Sequence, residues 1–379
     1  MNKIGEELPG LYVHVPFCRT KCPYCDFYSV TTPGLVEAWL EAVRKEAHLY
    51  RESFPAFDTL YLGGGTPSLL SAGELTKLMS CLRAQFTFLS NTEITIEVNP
   101  DDVTGEKTAL YRDLGINRIS VGVQSFNEKE LLYLRRRHTA RQAETALDLI
   151  RSSGFRNVGI DLMYGLDTHH DSASSCSWDR TLRRAVAFQP EHLSCYQLTL
   201  EEDTPFGKMK AEGKLKPVGE ERERALFLQT SQFLEEEGYL HYEISNFAKS
   251  PGFTSRHNSK YWRHVPYLGL GPSAHSFRDG ARWWNPRSIE KYCRSLAQGN
   301  TPVAESEILT ADQLRLEALY LGLRTKQGVS LETLGSSSRK DSVLKELRKS
   351  RLVTLHDGIV TPTMEGFLVA DSLPLLFVD

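Results

Sequence analysis

Short apolar runs alternate with amphipathic stretches along the first half of the chain. The predicted strands are Leu11–Val15, Thr59–Gly63, Glu93–Val98, Arg118–Val123, Val158–Leu162 and His192–Leu198. Between them, apolar residues recur at helical spacing in Leu35–Tyr50, Ala72–Gln85, Arg141–Ser152 and Ser172–Ala187. This alternation predicts an α/β fold of βα units around a parallel sheet. Six units suit a partial (βα)6, TIM-like barrel, whose chemistry is expected at the carboxyl ends of the strands.

The second half of the chain has a less regular pattern. A helix is predicted over Glu220–Glu237, and an irregular, aromatic segment follows at about 242–277. Residues 299–302 are typical of a linker. Beyond them the pattern predicts helices and then a hairpin, over Asp312–Arg324, Asp341–Arg351, Leu352–Leu355 and Ile359–Thr361 with a turn at Asp357-Gly358. We therefore divide the chain into a barrel domain, 1–295, and a small helical, winged-helix-like domain, 302–379, expected to act as a packing or lid module.

Composition and charge limit the classes of partner. The 379 residues carry a formal net charge of −3 and are 40% hydrophobic, which is ordinary for a globular protein with a full core. This charge gives no reason to expect nucleic acid as the main partner. No apolar run approaches the ~20 residues that span a bilayer. The polar N-terminus is unlike a signal peptide, so a cytoplasmic location is expected.

Three of the seven cysteines lie close together in Cys18-Arg-Thr-Lys-Cys22-Pro-Tyr-Cys25, directly after the first strand. Thiolates are the ligands that iron–sulfur clusters require. Three of them would bind three irons and leave a fourth iron with an open position. The alternative is a zinc site completed by His14. The other cysteines, Cys81, Cys176, Cys195 and Cys293, are expected to be structural thiols.

Glycines and polar residues mark the ends of the next predicted strands. Tyr61-Leu62-Gly63-Gly64-Gly65-Thr66-Pro67 ends the second strand, and glycines allow close approach of a ligand to the backbone. Glu97, Gln124 and Asp161 then stand where an apolar core pattern is expected. Buried polar groups are costly unless they are satisfied, so convergence on one ligand is the simplest explanation.

The cysteine spacing and its position after a strand resemble those of the radical SAM superfamily. The resemblance implies a [4Fe-4S] cluster on Cys18, Cys22 and Cys25 that holds S-adenosylmethionine (SAM). It implies that the backbone of Gly64, Gly65 and Thr66 binds the SAM amine, and that Arg136 binds its carboxylate. The remaining residues that match SAM-contacting positions are Tyr12, Tyr24, Glu97, Gln124, Asp161 and His275.

Within the superfamily, the whole chain resembles the HemN/HemW family, and the HemW branch more than the HemN branch. HemN oxidases carry a further cysteine where this chain has Phe27, and they have a long N-terminal arm for which no room is expected before Leu11. The segment His257-Asn258-Ser259-Lys260-Tyr261-Trp262 matches the H-N-x-x-Y-W pattern of HemW, proposed in that branch to bind haem. His257, Asn258, Tyr261 and Trp262 are therefore the candidate haem residues, and the alternative is that this segment anchors a loop.

This resemblance implies a haem chaperone that binds [4Fe-4S], SAM and haem and delivers haem to acceptor haemoproteins. Membrane-bound respiratory enzymes are expected among these acceptors, with transient membrane association. A flavodoxin or ferredoxin would serve as electron donor, and a homodimer is compatible with the family. The alternatives are oxygen-independent coproporphyrinogen III oxidation and radical methylation with haem ring opening. The sequence leaves open whether SAM is cleaved, and no catalytic residue is assigned.

Overall fold

The computed structural model describes residues 7–166, 174–335 and 339–377. The strands of the described residues are β1 (Gly10–Val15), β2 (Ala56–Gly64), β3 (Thr87–Val98), β4 (Arg118–Gln124), β5 (Val158–Tyr164), β6 (His192–Gln197), β7 (Leu240–Glu243), β8 (Asn246–Ala248), β9 (Tyr267–Leu270), β10 (His275–Arg278), β11 (Ala281–Trp284), β12 (Glu305–Ile308), β13 (Val329–Ser330), β14 (Val353–His356) and β15 (Ile359–Pro362).

The helices follow the strands in alternation through the first half of the chain. They are α1 (Val36–Tyr50), α2 (Ala72–Gln85), α3 (Gly105–Asp113), α4 (Glu128–Tyr133), α5 (Ala140–Ser152), α6 (Ser174–Ala187), α7 (Pro205–Ala211), α8 (Glu220–Glu236), α9 (Arg256–Trp262), α10 (Ile289–Ala297), α11 (Ala311–Gly322), α12 (Lys340–Lys349) and α13 (Met364–Phe367). The first two residues of the predicted Ser172–Ala187 helix lie outside the described residues. None of the described helices is long and apolar enough to cross a membrane.

Strands β1 to β6 lie side by side in chain order and are all parallel, which confirms the predicted partial barrel. Their outward-facing residues are apolar and pack under the helices in one large core, which includes Leu60, Ile96 and Val121. Side chains alternate across a strand, so the intervening residues face the barrel interior. On β3 to β6 these inward residues are mostly polar, which marks the interior as a place for a ligand.

Short strands that the sequence pattern does not predict extend the barrel sheet at both edges. Strands β8 and β7 add antiparallel to β6, whereas β9 adds parallel to β1 and is followed by β10, β11 and β12. Each of these added strands has only three or four residues. A strand of three or four residues is too short to show a clear alternation of apolar and polar residues. The aromatic residues in this segment make the alternation harder to recognise.

The C-terminal part forms a small domain with its own sheet and core. Strands β13, β15 and β14 form a three-stranded antiparallel sheet, against which α11 and α12 pack through Leu319 and Leu347. The predicted hairpin is confirmed, because His356 pairs with Ile359 across a two-residue turn. In that turn Asp357 and Gly358 have positive φ of 48° and 77°, as a type I′ turn requires.

A buried carboxyl on α1 ties the barrel to the segment after β9. Glu46 is fully buried and accepts hydrogen bonds from Tyr292 Oη at 2.6 Å, Asn285 Nδ2 at 2.6 Å and the Gly271 backbone N–H at 2.9 Å. Burial raises the pKa of Glu46 to about 7, although these hydrogen bonds lower it in part. The folded protein therefore keeps a proton on this carboxyl at pH values where the unfolded chain has lost it.

This difference predicts a pH dependence of stability. The free energy of unfolding should fall by up to roughly 3 kcal/mol as the pH rises from about 4.5 to above 7, because the folded state loses its extra proton over that range. Glu46→Gln cannot titrate and should remove this share of the slope. Urea unfolding of both proteins at several pH values measures the difference. Equal slopes in the two proteins would show that Glu46 ionises normally in the fold.

Candidate functional site

A cavity of about 670 Å³ occupies the barrel interior and opens at the carboxyl ends of the strands. The loop after β1 and the end of β2 form one wall, and inward side chains of β3 to β6 form the rest. The predicted site residues that line it are Cys18, Cys22, Tyr24, Cys25, Gly64, Gly65, Thr66, Glu97, Gln124, Arg136, Asp161 and Asn258. The structure therefore brings most of the predicted SAM and cluster residues to one space.

The three cysteines lie on a loop that is fixed at both ends. The Cys18 N–H donates to the Val30 carbonyl at 3.0 Å, and the Cys25 N–H donates to the Cys22 carbonyl at 3.2 Å. All three side chains are free thiols, half-buried at the cavity wall. Burial raises the pKa of the Cys25 thiol to about 11. A donor set of three thiols on one loop fits an iron–sulfur cluster, in which each thiolate binds a different iron.

The geometry does not favour the zinc alternative. The His14 Nε2–H donates to the Tyr28 carbonyl at 2.8 Å, and Nδ1 is hydrogen-bonded to Tyr12 Oη at 3.0 Å. Its imidazole is buried and is engaged away from the thiols.

The glycine run brings backbone against the start of the cysteine loop. Gly64 has a φ of +108°, and a Cβ there would lie 2.6 Å from the His14 ring. A Cβ on Gly65 would lie 2.7 Å from the Phe17 carbonyl oxygen and 2.8 Å from that of Val15. Only glycine allows this contact between β2 and the end of β1. As a result, Thr66 Oγ1 lies 3.4 Å from Cys18 Sγ.

Two half-buried carboxyls face the cavity from β3 and β5. Glu97 accepts from Tyr61 Oη at 2.8 Å and from the Gly64 N–H at 3.2 Å, and burial raises its pKa to about 7. Asp161 accepts from Ser120 Oγ at 3.0 Å, and burial raises its pKa too. Gln124 ends β4 with a positive φ of 65°, an uncommon conformation for a residue with a side chain. These groups offer hydrogen-bond acceptors and an amide to a polar ligand.

Arg136 reaches the cavity from the segment after α4. Its Nη2 donates to Asn99 Oδ1 at 2.6 Å and to the Gly122 carbonyl at 2.8 Å, and its Nη1 lies 3.6 Å from Cys22 Sγ. Its Nε is buried without a hydrogen-bond partner among the described residues. An unpaired guanidinium N–H beside the thiols fits a ligand carboxylate. The neighbouring Arg137 pairs instead with Asp101 at 2.9 Å.

Two residues predicted to contact SAM do not line the cavity. Tyr12 is engaged with His14, and its ring lies 6.5 Å from that of His257 on the side away from the cysteines. His275 is exposed at the start of β10, where its ring stacks at 5.6 Å on Trp284.

The candidate haem residues do not form one surface. His257 is 1% exposed, and both of its ring nitrogens are engaged, with Thr59 Oγ1 at 2.9 Å and Tyr261 Oη at 2.8 Å. Asn258 lines the cavity, whereas the Trp262 ring does not and lies 5.9 Å from the Arg324 guanidinium carbon. In this arrangement the His257 imidazole is not accessible to haem iron, and α9 closes the amino-terminal end of the barrel.

This geometry makes a prediction about His257→Leu. The substitution leaves the Thr59 and Tyr261 hydroxyls without their buried partner, so the free energy of unfolding should fall by about 2–4 kcal/mol. Denaturant unfolding measures this loss, and haem titration of the folded variant tests ligation separately. Unchanged stability together with lost haem binding would instead assign His257 to haem.

Sequence reasoning missed several polar residues deep in the cavity. They are Thr95, Arg118, Ser120, His192 and Ser194, and each faces inward from β3, β4 or β6. Tyr196 also lines the cavity, but it lies near the carboxyl end of β6 and is 40% exposed. Strand alternation could have identified them, because every second residue of a strand faces the same side. Arg118 and Ser120 therefore lie on the same face of β4 as Gly122 and Gln124. The predicted strands contained these residues, but only polar residues near their carboxyl ends were considered.

Family models match two parts of the chain. Residues 12–173 match the radical SAM superfamily, and residues 309–369 match the HemN C-terminal domain. The solved structure of coproporphyrinogen III oxidase (HemN) from Escherichia coli superposes with a TM-score of 0.82 at 24% identity, covering 98% of this chain and 90% of that one. At this identity the likeness shows the fold.

Relatives that align over most of this chain identify a family within the radical SAM superfamily. A heme chaperone HemW from Synechocystis is 36% identical over 87% of this chain and 81% of the relative. Proteins of the same name from Mycobacterium tuberculosis and Bacillus subtilis are 34% and 31% identical, and each alignment covers more than nine-tenths of both chains. With these similarities and a cysteine loop, glycine turn and polar cavity in one α/β barrel, the chain belongs to the HemW family of the radical SAM superfamily.

Proposed function

We propose that this protein is a haem chaperone that carries a [4Fe-4S] cluster and SAM, binds haem, and delivers haem to acceptor haemoproteins. The observation that supports it most is the convergence of three thiols, a glycine turn and an arginine with an unpaired N–H on one cavity. Membership in a family whose relatives are named heme chaperone supports the haem part.

In this proposal Cys18, Cys22 and Cys25 hold the cluster, which supplies an open iron position and a single electron. Arg136 would bind the SAM carboxylate, since its Nε has no partner among the described residues. The backbone of Gly64 and Gly65, which lines the cavity, would bind the amine. Glu97, Gln124 and Asp161 would accept from or donate to the remaining polar groups of SAM. Tyr24 and Thr66 complete this wall.

Haem delivery is proposed from the family, and the cavity is compatible with it. The cavity is of the size that binding sites for small molecules and cofactors have. Phe27 is 67% exposed at its mouth and offers an apolar ring to a large flat ligand. The acceptors would include membrane-bound respiratory enzymes, reached by transient membrane association from the cytoplasm. A flavodoxin or ferredoxin would reduce the cluster, and a homodimer is part of the same proposal.

The test uses full-length protein reconstituted anaerobically with iron and sulfide. One sample is titrated with haem and followed by absorbance, and another is incubated with coproporphyrinogen III, SAM and reductant. Saturable haem binding, with no new tetrapyrrole on chromatography, is the expected result. Protoporphyrinogen IX as a product would make the protein an oxidase, and a linear tetrapyrrole from haem would make it a ring-opening enzyme.

A further inference from the structure

The floor of the cavity holds polar groups that the cluster and SAM do not use. Arg118 and His192 are the first residues of β4 and β6, so they lie at the amino-terminal end of the barrel, opposite the cysteine loop. Thr95 pairs in register with Arg118, and Gly159 pairs in register with His192. The side chains of Thr95, Arg118 and His192 are at most 2% exposed and line the cavity.

Arg118 is a buried cation without an ion-pair partner among the described residues. Its Nη1 donates to Asn157 Oδ1 at 3.0 Å and to the Phe253 carbonyl at 3.1 Å, and both of these acceptors are neutral. The Asp161 carboxyl accepts from Ser120 Oγ at 3.0 Å. Burial raises the pKa of Asp161 and the charge of the nearby Arg118 lowers it in part, but the two groups form no ion pair among the described residues. A buried charge is costly unless it is paired, so this guanidinium favours an anionic ligand.

His192 presents an N–H to the same space. The Ser255 N–H donates to Tyr242 Oη at 3.3 Å, which leaves the phenol proton to donate to His192 Nε2 at 2.7 Å. Burial, and then the charge of Arg118, lower the pKa of His192 well below its ordinary value, so the ring is neutral. A neutral imidazole that accepts at Nε2 carries its proton on Nδ1. Nδ1 has no partner among the described residues.

The third group is the Thr95 hydroxyl, which is fully buried and also lacks a partner in the described part of the chain. Buried polar side chains are nearly always hydrogen-bonded, so two unpaired groups facing one cavity indicate a missing ligand. A cation, an N–H and a hydroxyl together match a carboxylate, which has two oxygens and accepts only.

We propose that Arg118, His192 and Thr95 form an inner carboxylate subsite at the floor of the cavity, beyond the residues assigned to SAM. In a chain that binds haem, this subsite takes one propionate carboxylate of the tetrapyrrole. This second statement rests on the proposed function, whereas the subsite itself does not.

Two substitutions test the subsite without removing the buried arginine. Thr95→Val keeps the side-chain shape and removes a hydroxyl that has no partner in the fold. A Cβ on Gly159 would lie 3.4 Å from Ser120 Oγ and 3.5 Å from His192 Nδ1, in ordinary contact, so Gly159→Ala fills the subsite and leaves the strand intact. Gly73→Ala is the matched control, because a Cβ there meets nothing within 4 Å.

The reconstituted full-length protein is titrated with haem and with haem dimethyl ester, which lacks free carboxylates, and propionate binding is followed by NMR. Thr95→Val and Gly159→Ala should each weaken haem binding about tenfold, as loss of one charge-assisted hydrogen bond does, and leave ester binding and the Gly73→Ala control unchanged. Equal weakening of haem and ester, or no weakening of haem binding in either variant, would overturn the placement of a haem propionate in this subsite and leave the chaperone proposal intact.

The propionate titration separates the two proposals. If propionate binds wild-type protein and not Thr95→Val while haem does not bind at all, the subsite stands and the haem function falls. If neither propionate nor haem shows any dependence on Thr95, the subsite is wrong.

Discussion

Replacing Cys22 by serine is expected to abolish cluster assembly and, with it, SAM binding. The three thiols of the cysteine loop would each hold one iron, and a serine hydroxyl is a poor substitute for a thiolate ligand. Serine has nearly the shape of cysteine, and the loop is fixed by backbone hydrogen bonds on both sides of this position. The fold should therefore survive while iron and sulfide fall from about one cluster per chain to none. Iron and sulfide analysis after anaerobic reconstitution measures this loss.

Cys81→Ser is the control for this experiment. Cys81 lies on α2, is also a half-buried free thiol, and does not line the cavity. The Cys81→Ser variant should keep the iron content and SAM affinity of the wild-type protein. A Cys22→Ser protein with wild-type iron content would contradict the assignment of the loop as the cluster site.

Arg136→Gln is expected to weaken SAM binding by about 10- to 100-fold, the range for a lost charge-assisted pair of hydrogen bonds. The guanidinium lies between Asn99, the Gly122 carbonyl and Cys22, with Nε unpaired. Glutamine has a shorter side chain and no charge, so it cannot bind a carboxylate there as the guanidinium would. Equilibrium binding of SAM to cluster-loaded protein gives the affinity, and iron analysis confirms that the cluster is retained.

The neighbouring residue provides a matched control. Arg135 is exposed and has a positive φ of 51°, so Arg135→Gln changes the same charge without touching the cavity. It should bind SAM as the wild-type protein does. If both variants weaken SAM binding equally, general charge explains the effect and Arg136 has no specific role.

The barrel was predictable because its strands are buried on their outer face and end in recognisable groups. Val121 and Ile160 belong to continuous apolar runs, and glycine or polar residues follow each run, so strand positions were evident. The cysteine and glycine motifs are local in sequence, and the structure brings them together simply because β1 and β2 are adjacent and parallel.

Other features depend on tertiary contacts that no local pattern contains. His257 stands in a motif that suggested exposure to a ligand, yet its ring packs against Thr59, which lies almost two hundred residues earlier in the chain. The pairing of Thr95 with Arg118 needs the strand register, which sequence spacing alone does not give. The edge strands β9 to β12 form through pairing with strands already in place, so their short segments carry little signal of their own.

Haem transfer tests the central claim most directly. Haem-loaded, cluster-reconstituted protein is added to membranes from haem-starved cells, with apomyoglobin present to capture any haem that is released. Recovery of respiratory haem enzyme activity is compared with that from an equal amount of free haem. Our account predicts recovery with the loaded protein despite the scavenger, and none with free haem. If the haem collects in myoglobin and recovery equals the free-haem control, the protein does not deliver haem.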